Sequence, residues 1–260
     1  MAVATTVVLI TGANSGVGYA TAEVIAEASE SYHVILSSRN LENAEKALVE
    51  ISSNANVKGS ISALQLDVTD RVSIEAAARE VLRDFGKVAV SDSITPYVAW
   101  LMRHIANQDP DLQIRLKDTL AVNIIGPALV TEIFKPLLLK SSKPRSIYIT
   151  SGLGSLHKAS DPDDPSSNRP GTTVYRISKV ALNMLIVEES KELGPRGVKT
   201  FGVCPGHVRS NIRGRSEEAI SSGGRAGDPR ISGQTILRVI EGQRDQHVGK
   251  MLHKDGVYPW

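Results

Sequence analysis

Hydrophobic positions along this chain follow two alternating periods. Short β-branched or apolar runs near residues 6–11, 33–38, 62–67, 87–91, 145–150 and 198–204 have the length and composition of strands. Between them, segments 17–29, 41–53, 71–85, 112–139 and 174–193 carry helical spacing. Strands alternating with helices build stacked βαβ units, so the pattern predicts an α/β fold, a doubly wound parallel sheet flanked by helices. No internal repeat or linker divides the 260 residues, and a single domain is expected. Two polar stretches interrupt the rhythm and read as loops or short mobile helices: 159–173, rich in Pro, Asp, Ser and Asn, and 213–230, mixing Gly, Ser, Arg and Glu. Ligands of open α/β sheets gather beyond the carboxyl ends of the strands, which makes both stretches candidate substrate loops.

The first strand runs into Thr11-Gly12-Ala13-Asn14-Ser15-Gly16-Val17-Gly18, followed by the helix-forming Tyr19-Ala20-Thr21-Ala22-Glu23. Glycines at such a turn permit a sharp reversal, bring backbone N–H groups close to a pyrophosphate and let the helix pack on the strand. Gly12, Asn14, Ser15, Gly16, Val17 and Gly18 are therefore the candidate phosphate-binding residues. A ligand-free glycine connector has similar composition, but the strand before and the helix after favour a dinucleotide site. About 20 residues further on, NAD-binding folds place an acid that accepts bonds from the ribose 2′-hydroxyl. Here the chain reads Leu36-Ser37-Ser38-Arg39-Asn40, with no acid. An aspartate would repel a 2′-phosphate, whereas Arg39 offers a permanently charged planar fork and Ser38 a hydroxyl. NADP(H) is the expected cofactor.

Tyr175-Arg176-Ile177-Ser178-Lys179 opens a predicted helix after Pro170-Gly171, and four-residue spacing puts Tyr175 and Lys179 on one face. A cation about 4 Å away favours a phenolate by about 4 kcal/mol at an effective dielectric of 20, or roughly 3 pKa units. Tyr175 is thus expected to exchange a proton with a substrate oxygen, with Lys179 lowering its pKa.

Taken in order, the turn at 11–18, the strand Ser146-Ile147-Tyr148-Ile149-Thr150-Ser151, the Tyr175–Lys179 pair and Cys204-Pro205-Gly206-His207-Val208-Arg209-Ser210 resemble the motifs of the short-chain dehydrogenase/reductase family. The resemblance spans nearly the whole chain, and the ending Gly256-Val257-Tyr258-Pro259-Trp260 is similar to small carbonyl-reductase-like members. It implies a Rossmann-type fold in which Ser151 polarises the substrate oxygen, Tyr175 is the acid/base and Lys179 also holds the nicotinamide ribose. It further implies that Asn123, in Leu120-Ala121-Val122-Asn123-Ile124-Ile125-Gly126, completes a proton relay. Asp67 and Val68 take the place of the adenine contacts, and Pro205, Gly206, Val208 and Ser210 that of the segment orienting the nicotinamide. His207 reads as a surface residue within substrate reach, and Cys204 as a small buried hydrophobe.

One family motif is missing. After Phe85-Gly86-Lys87 the family carries D-x-L-V-N-N-A-G, where this chain has Val88-Ala89-Val90-Ser91-Asp92-Ser93-Ile94-Thr95-Pro96. Ser93 and Pro96 take the places of the asparagine and glycine. Proline fixes φ and removes a donor, so the chain is expected to leave the sheet early, with 97–103 swinging to the pocket rim and Trp100 lining an apolar cleft.

Composition narrows the function. A net charge of +2 with 22% charged residues gives no reason to expect nucleic acid or an acidic membrane surface. A single cysteine, Cys204, excludes an intrachain disulfide and a cysteine-based metal cluster, so no metal site is expected and a reducing, cytoplasmic setting fits best. No apolar run is expected to reach the roughly 20 residues of a membrane span, and Val7–Ile10 reads as strand rather than leader. The expected activity is NADPH-dependent reduction of a ketone or aldehyde, or the reverse alcohol oxidation, in keeping with a biosynthetic role. A non-redox cyclase or isomerase, or a dinucleotide sensor without turnover, is the alternative on this scaffold. The resemblance also implies homo-oligomers paired through the helices carrying Asn123 and Tyr175.

Overall fold

Because helices cover both faces of the sheet, its central strands are buried without alternation: every residue from Val7 to Ile10 and from Arg145 to Ile149 is buried. The computed structural model describes residues 5–88, 90–93 and 111–260, with 90–93 described as backbone alone. Its strands are β1 (Thr6–Ile10), β2 (Tyr32–Ser38), β3 (Ser60–Gln65), β4 (Val90–Ser93), β5 (Arg145–Ile149), β6 (Lys199–Val203), β7 (Met251–His253) and β8 (Gly256–Tyr258). They form one sheet in the order β3-β2-β1-β4-β5-β6-β7-β8, parallel except for the antiparallel hairpin of β7 and β8. Strand order reverses between β1 and β4, so a crevice opens beyond their carboxyl ends.

The described helices are α1 (Gly16–Ala28), α2 (Leu41–Ser52), α3 (Arg71–Phe85), α4 (Leu112–Leu120), α5 (Gly126–Leu138), α6 (Leu156–Ser160), α7 (Thr173–Leu193), α8 (Glu217–Ser221) and α9 (Arg230–Ile240). One core layer joins Ala22, Ile25 and Ala26 of α1 and Ile236, Val239 and Ile240 of α9 to Val8, Ile10 and Phe201 of the sheet. The opposite layer gathers Ile74, Ala77 and Val81 of α3 and Val130, Phe134 and Leu137 of α5 around Leu9 and Ile35. Caps set the helix starts: Asn40 Oδ1 accepts from Asn43 N at 3.2 Å and Asp70 Oδ1 from Val72 N at 2.9 Å.

The sequence expectation of a parallel α/β domain is met, with four corrections. β4 begins at Val90 rather than 87, because Val88 N donates to the Leu137 carbonyl at 3.2 Å instead of entering the sheet. The helix expected over 112–139 is interrupted by a π turn at Ala121–Ile125. Taken as one piece, Leu112–Leu138 is long and apolar enough to cross a bilayer, contrary to the expectation that no such run exists. Here it packs as a layer of the core through Val122, Val130 and Phe134. Finally, α6, α9 and the β7–β8 hairpin were not expected, whereas α8 falls within 213–230, a stretch expected as a loop or short helix. The detour at Pro96 and the placement of Trp100 lie outside the described residues.

Candidate active site

The phosphate turn takes the backbone shape its glycines allow. Gly12 and Gly16 sit at φ +61° and +59°, where a side chain is strained. A Cβ on Gly16 would also lie 3.3 Å from Ser210 Cβ, so the β6 loop approaches the turn closely. Ser15 precedes α1 in extended conformation and makes no side-chain cap, leaving the first-turn N–H groups to face the crevice. These features fit a dinucleotide pyrophosphate.

A cavity of about 380 Å³ opens from this turn along the carboxyl ends of β1, β5 and β6. Ser15, Gly16, Val17, Ser151, Tyr175, Lys179, Pro205, Gly206, Val208 and Ser210 all line it. The remaining predicted residues stand elsewhere. Gly12 and Asn14 belong to the turn, and Gly18 is buried in α1. Ser38, buried, and Arg39, exposed, lie at the carboxyl end of β2, and Ser38 Oγ accepts from Asn40 N at 3.4 Å. Asp67 and Val68 follow β3; Asp67 Oδ1 accepts from Thr69 N and Oγ1 at 2.9 and 2.7 Å, and Val68 packs in the core. Since β3, β2 and β1 are consecutive in the sheet, these residues continue the cavity in the direction an extended dinucleotide requires.

Tyr175 and Lys179 face the cavity from the first turns of α7, and Ser151 faces them from the end of β5. Asn183, one further turn along α7, holds the two elements in register. Its Oδ1 accepts from Thr150 Oγ1 at 2.5 Å and its Nδ2 donates to the Gly154 carbonyl at 3.0 Å. Gly154 is required by the closeness of this contact, because a Cβ there would lie 2.8 Å from the Lys179 carbonyl carbon and Cβ. Gly154→Ala should therefore push α7 off β5, destabilise the fold by about 2 kcal/mol and lower turnover. Thermal denaturation with a parallel activity assay checks this, and unchanged melting would refute the close packing.

Asn123 sits in the π turn, fully buried. Such bulges recur at functional sites because they turn one residue off the regular helical face. Its Nδ2 donates to Ser178 Oγ at 2.9 Å, and Ser178 Oγ donates to the Tyr175 carbonyl at 2.7 Å. Its side chain thus braces the Tyr175 turn from behind rather than lining the cavity. Its Oδ1 is buried without a partner among the described residues.

The expected electrostatics of the tyrosine–lysine pair need correction. Lys179 Nζ donates to the Ile149 carbonyl at 2.9 Å and lies 5.7 Å from the centre of the Tyr175 ring. Burial dominates both groups. It pushes Tyr175 up to about 12, against the opposing hydrogen bond of Ser151, and Lys179 down to about 8. Tyr175 is accordingly a protonated donor at neutral pH, not a lysine-stabilised phenolate.

Sequence reasoning missed several cavity residues. Tyr258 arrives from β8, its ring 3.2 Å from where a Gly152 Cβ would be, and Lys158 Nζ lies 4.7 Å above that ring. The two stretches expected as substrate loops, in which no residue was singled out, also contribute: 159–173 brings Ser166, Arg169 and Thr172, and 213–230 brings Arg213. The first stretch is fastened to α7, since Arg176 donates to the carbonyls of Ser166 and Ser167 and to Thr172 Oγ1. Cys204 is buried as expected, its Sγ accepting from Gly152 N at 3.1 Å and its thiol pushed up by burial. His207 is exposed but lines the cavity.

A family profile described as short chain dehydrogenase matches residues 6–221. The chain is 31% identical over 264 residues to the short-chain dehydrogenase/reductase tropE of Talaromyces stipitatus, covering 96% of this chain and 95% of that protein. It is also 31% identical over 290 residues to the short-chain dehydrogenase/reductase eupG of a Phoma species, covering 98% and 97%. Among solved structures, the NADPH-bound carbonyl reductase from chicken fatty liver shares the fold, with a TM-score of 0.77 at 24% identity over 99% of this chain and 100% of that one.

Proposed function

This chain belongs to the short-chain dehydrogenase/reductase family, oxidoreductases that use a nicotinamide dinucleotide, and from that premise we propose that it reduces a ketone or aldehyde with NADPH, Tyr175 delivering the proton. The observation that carries the reading is the meeting of Ser151, Tyr175 and Lys179 in the cavity that begins at Ser15–Val17.

When bound, the dinucleotide supplies the hydride. The backbone of Ser15, Gly16 and Val17 would hold its pyrophosphate, Ser38 and Arg39 its 2′-phosphate, Asp67 and Val68 its adenine. Lys179 would hold the ribose, and Pro205, Gly206, Val208 and Ser210 the nicotinamide end. Ser151 and Tyr175 orient the substrate carbonyl oxygen by hydrogen bonds, and Tyr175 gives up its proton as negative charge grows there. With burial raising the phenol to about 12, Tyr175 holds its proton at neutral pH, the form that carbonyl reduction draws on.

Two measurements bear on the proposal. A panel of aldehydes and ketones should yield alcohols with matching loss of nicotinamide absorbance, and product formed at constant absorbance would overturn it. NADPH affinity should also depend on pH through Lys179, whose folded-state pKa is lowered to about 8. The lysine is charged below that value and neutral above it, so affinity should fall about tenfold as pH rises from 7 to 9.5, the loss of one charge-assisted hydrogen bond. Fluorescence titration across that range checks this, and flat affinity would remove Lys179 from cofactor binding.

A further inference from the structure

The charge around the cavity is one-sided. Its lining includes Lys158, Arg169, Lys179 and Arg213, together with His207, and no aspartate or glutamate among the described residues. Lys158 is matched by Asp164 at 3.3 Å. Arg169 and Arg213 form no ion pair among the described residues. Arg213 is half-buried and fixed in place, donating to the carbonyls of Val208, Ala219 and Ile220 at 2.8, 3.0 and 2.8 Å. Arg169 stands on the loop that Arg176 fastens to α7 beside Tyr175. Arg169 stands close enough to Arg213 to disfavour the charge there. Arg213 is pushed down by burial and then by Arg169, and His207 by burial and then by Arg213, Arg169 and Arg225. Like charges left unmatched at a cavity wall invite an anion.

The pair stands on segments other than those proposed to hold the cofactor's phosphates. The proposed phosphate contacts follow β1 and β2, whereas Arg169 and Arg213 belong to the segments after β5 and β6, on the side of Ser151 and Tyr175. The same cavity is also lined by the apolar side chains of Leu153, Val208 and Ile212 and the ring of Tyr258. We propose that the substrate is a carbonyl compound with an apolar body and a carboxylate, the carboxylate held by Arg169 and Arg213 while the carbonyl meets Tyr175. The proposal rests on the reading of this cavity as a carbonyl-reducing site.

The test uses 4-formylbenzoate and its methyl ester, which differ in charge and by one methyl group. Calorimetric titration is made into the protein saturated with NADP⁺, which cannot reduce an aldehyde, and into the protein without cofactor. The acid should bind at least about tenfold tighter than the ester, a preference that shrinks in about 0.5 M salt. In Arg169→Gln the acid-to-ester ratio should fall to near one. Arg169 is the residue to change because it is exposed, whereas Arg213 holds three carbonyls. Equal binding of acid and ester, tighter ester binding, or no detectable acid binding would overturn the proposal. Turnover with NADPH is read separately. An ester reduced without any acid preference rejects the carboxylate site and leaves the reductase reading standing. An acid preference in binding without turnover of either compound supports the carboxylate site and counts against the reductase reading.

Discussion

Tyr175→Phe should lower NADPH-dependent turnover about a thousandfold, within the range set by loss of a positioned general acid, while NADPH affinity stays near that of the wild type. The phenyl ring keeps the packing of the half-buried tyrosine at the start of α7 and removes only the hydroxyl. Among the described residues, nothing else on the cavity wall replaces it as a donor at the same place. Ser151 shares the hydrogen bond with Tyr175 but would leave an alkoxide, and Lys179 is turned toward the Ile149 carbonyl. Steady-state rates with each variant, paired with fluorescence titration of NADPH, separate lost chemistry from lost binding. Turnover within a few-fold of wild type would remove Tyr175 from the proton path and with it the carbonyl-reducing mechanism.

Arg39→Asp should reverse the cofactor preference. The wild type is expected to bind NADPH about 30-fold tighter than NADH, equivalent to about 2 kcal/mol, the worth of a charge-assisted hydrogen bond to the 2′-phosphate. An aspartate in that place repels the phosphate and can accept from a free 2′-hydroxyl, so NADH should become the tighter ligand. The substitution falls on an exposed residue at the end of β2, and melting temperature should change little. Equal affinities for the two cofactors in the wild type would defeat the assignment before any variant is made.

The parallel sheet was legible because apolar runs buried on both faces leave a strong local signal. β1, β2, β5 and β6 fall within about two residues of their expected places, inside the usual uncertainty of element boundaries. β4 shifted because its first apolar residue, Val88, bonds to α5 rather than to the sheet, a tertiary choice with no local mark. In α9, Ile236, Val239 and Ile240 carried a legible helical spacing that went unread beyond the polar stretch before it. The motif residues Ser151, Tyr175 and Lys179 do converge. Their protonation did not follow from spacing, because four residues along a helix fix a common face but neither the depth of burial nor the turn of Lys179 toward Ile149. The π turn beneath Asn123 left no trace either, since an inserted backbone residue does not alter composition. Arg169, Arg213 and Tyr258 reach the cavity from loops and a hairpin remote in sequence, so only the folded chain shows their shared surroundings.

The most direct test of the central claim follows the hydride itself. NADPH carrying deuterium at the transferable C4 position is incubated with the protein and an aldehyde it turns over, and the product is weighed by mass spectrometry. A reductase of the kind described here yields an alcohol one deuterium heavier, labelled at the former carbonyl carbon, with one NADPH oxidised per product. Product without the label, or formed while NADPH stays unoxidised, would contradict the account.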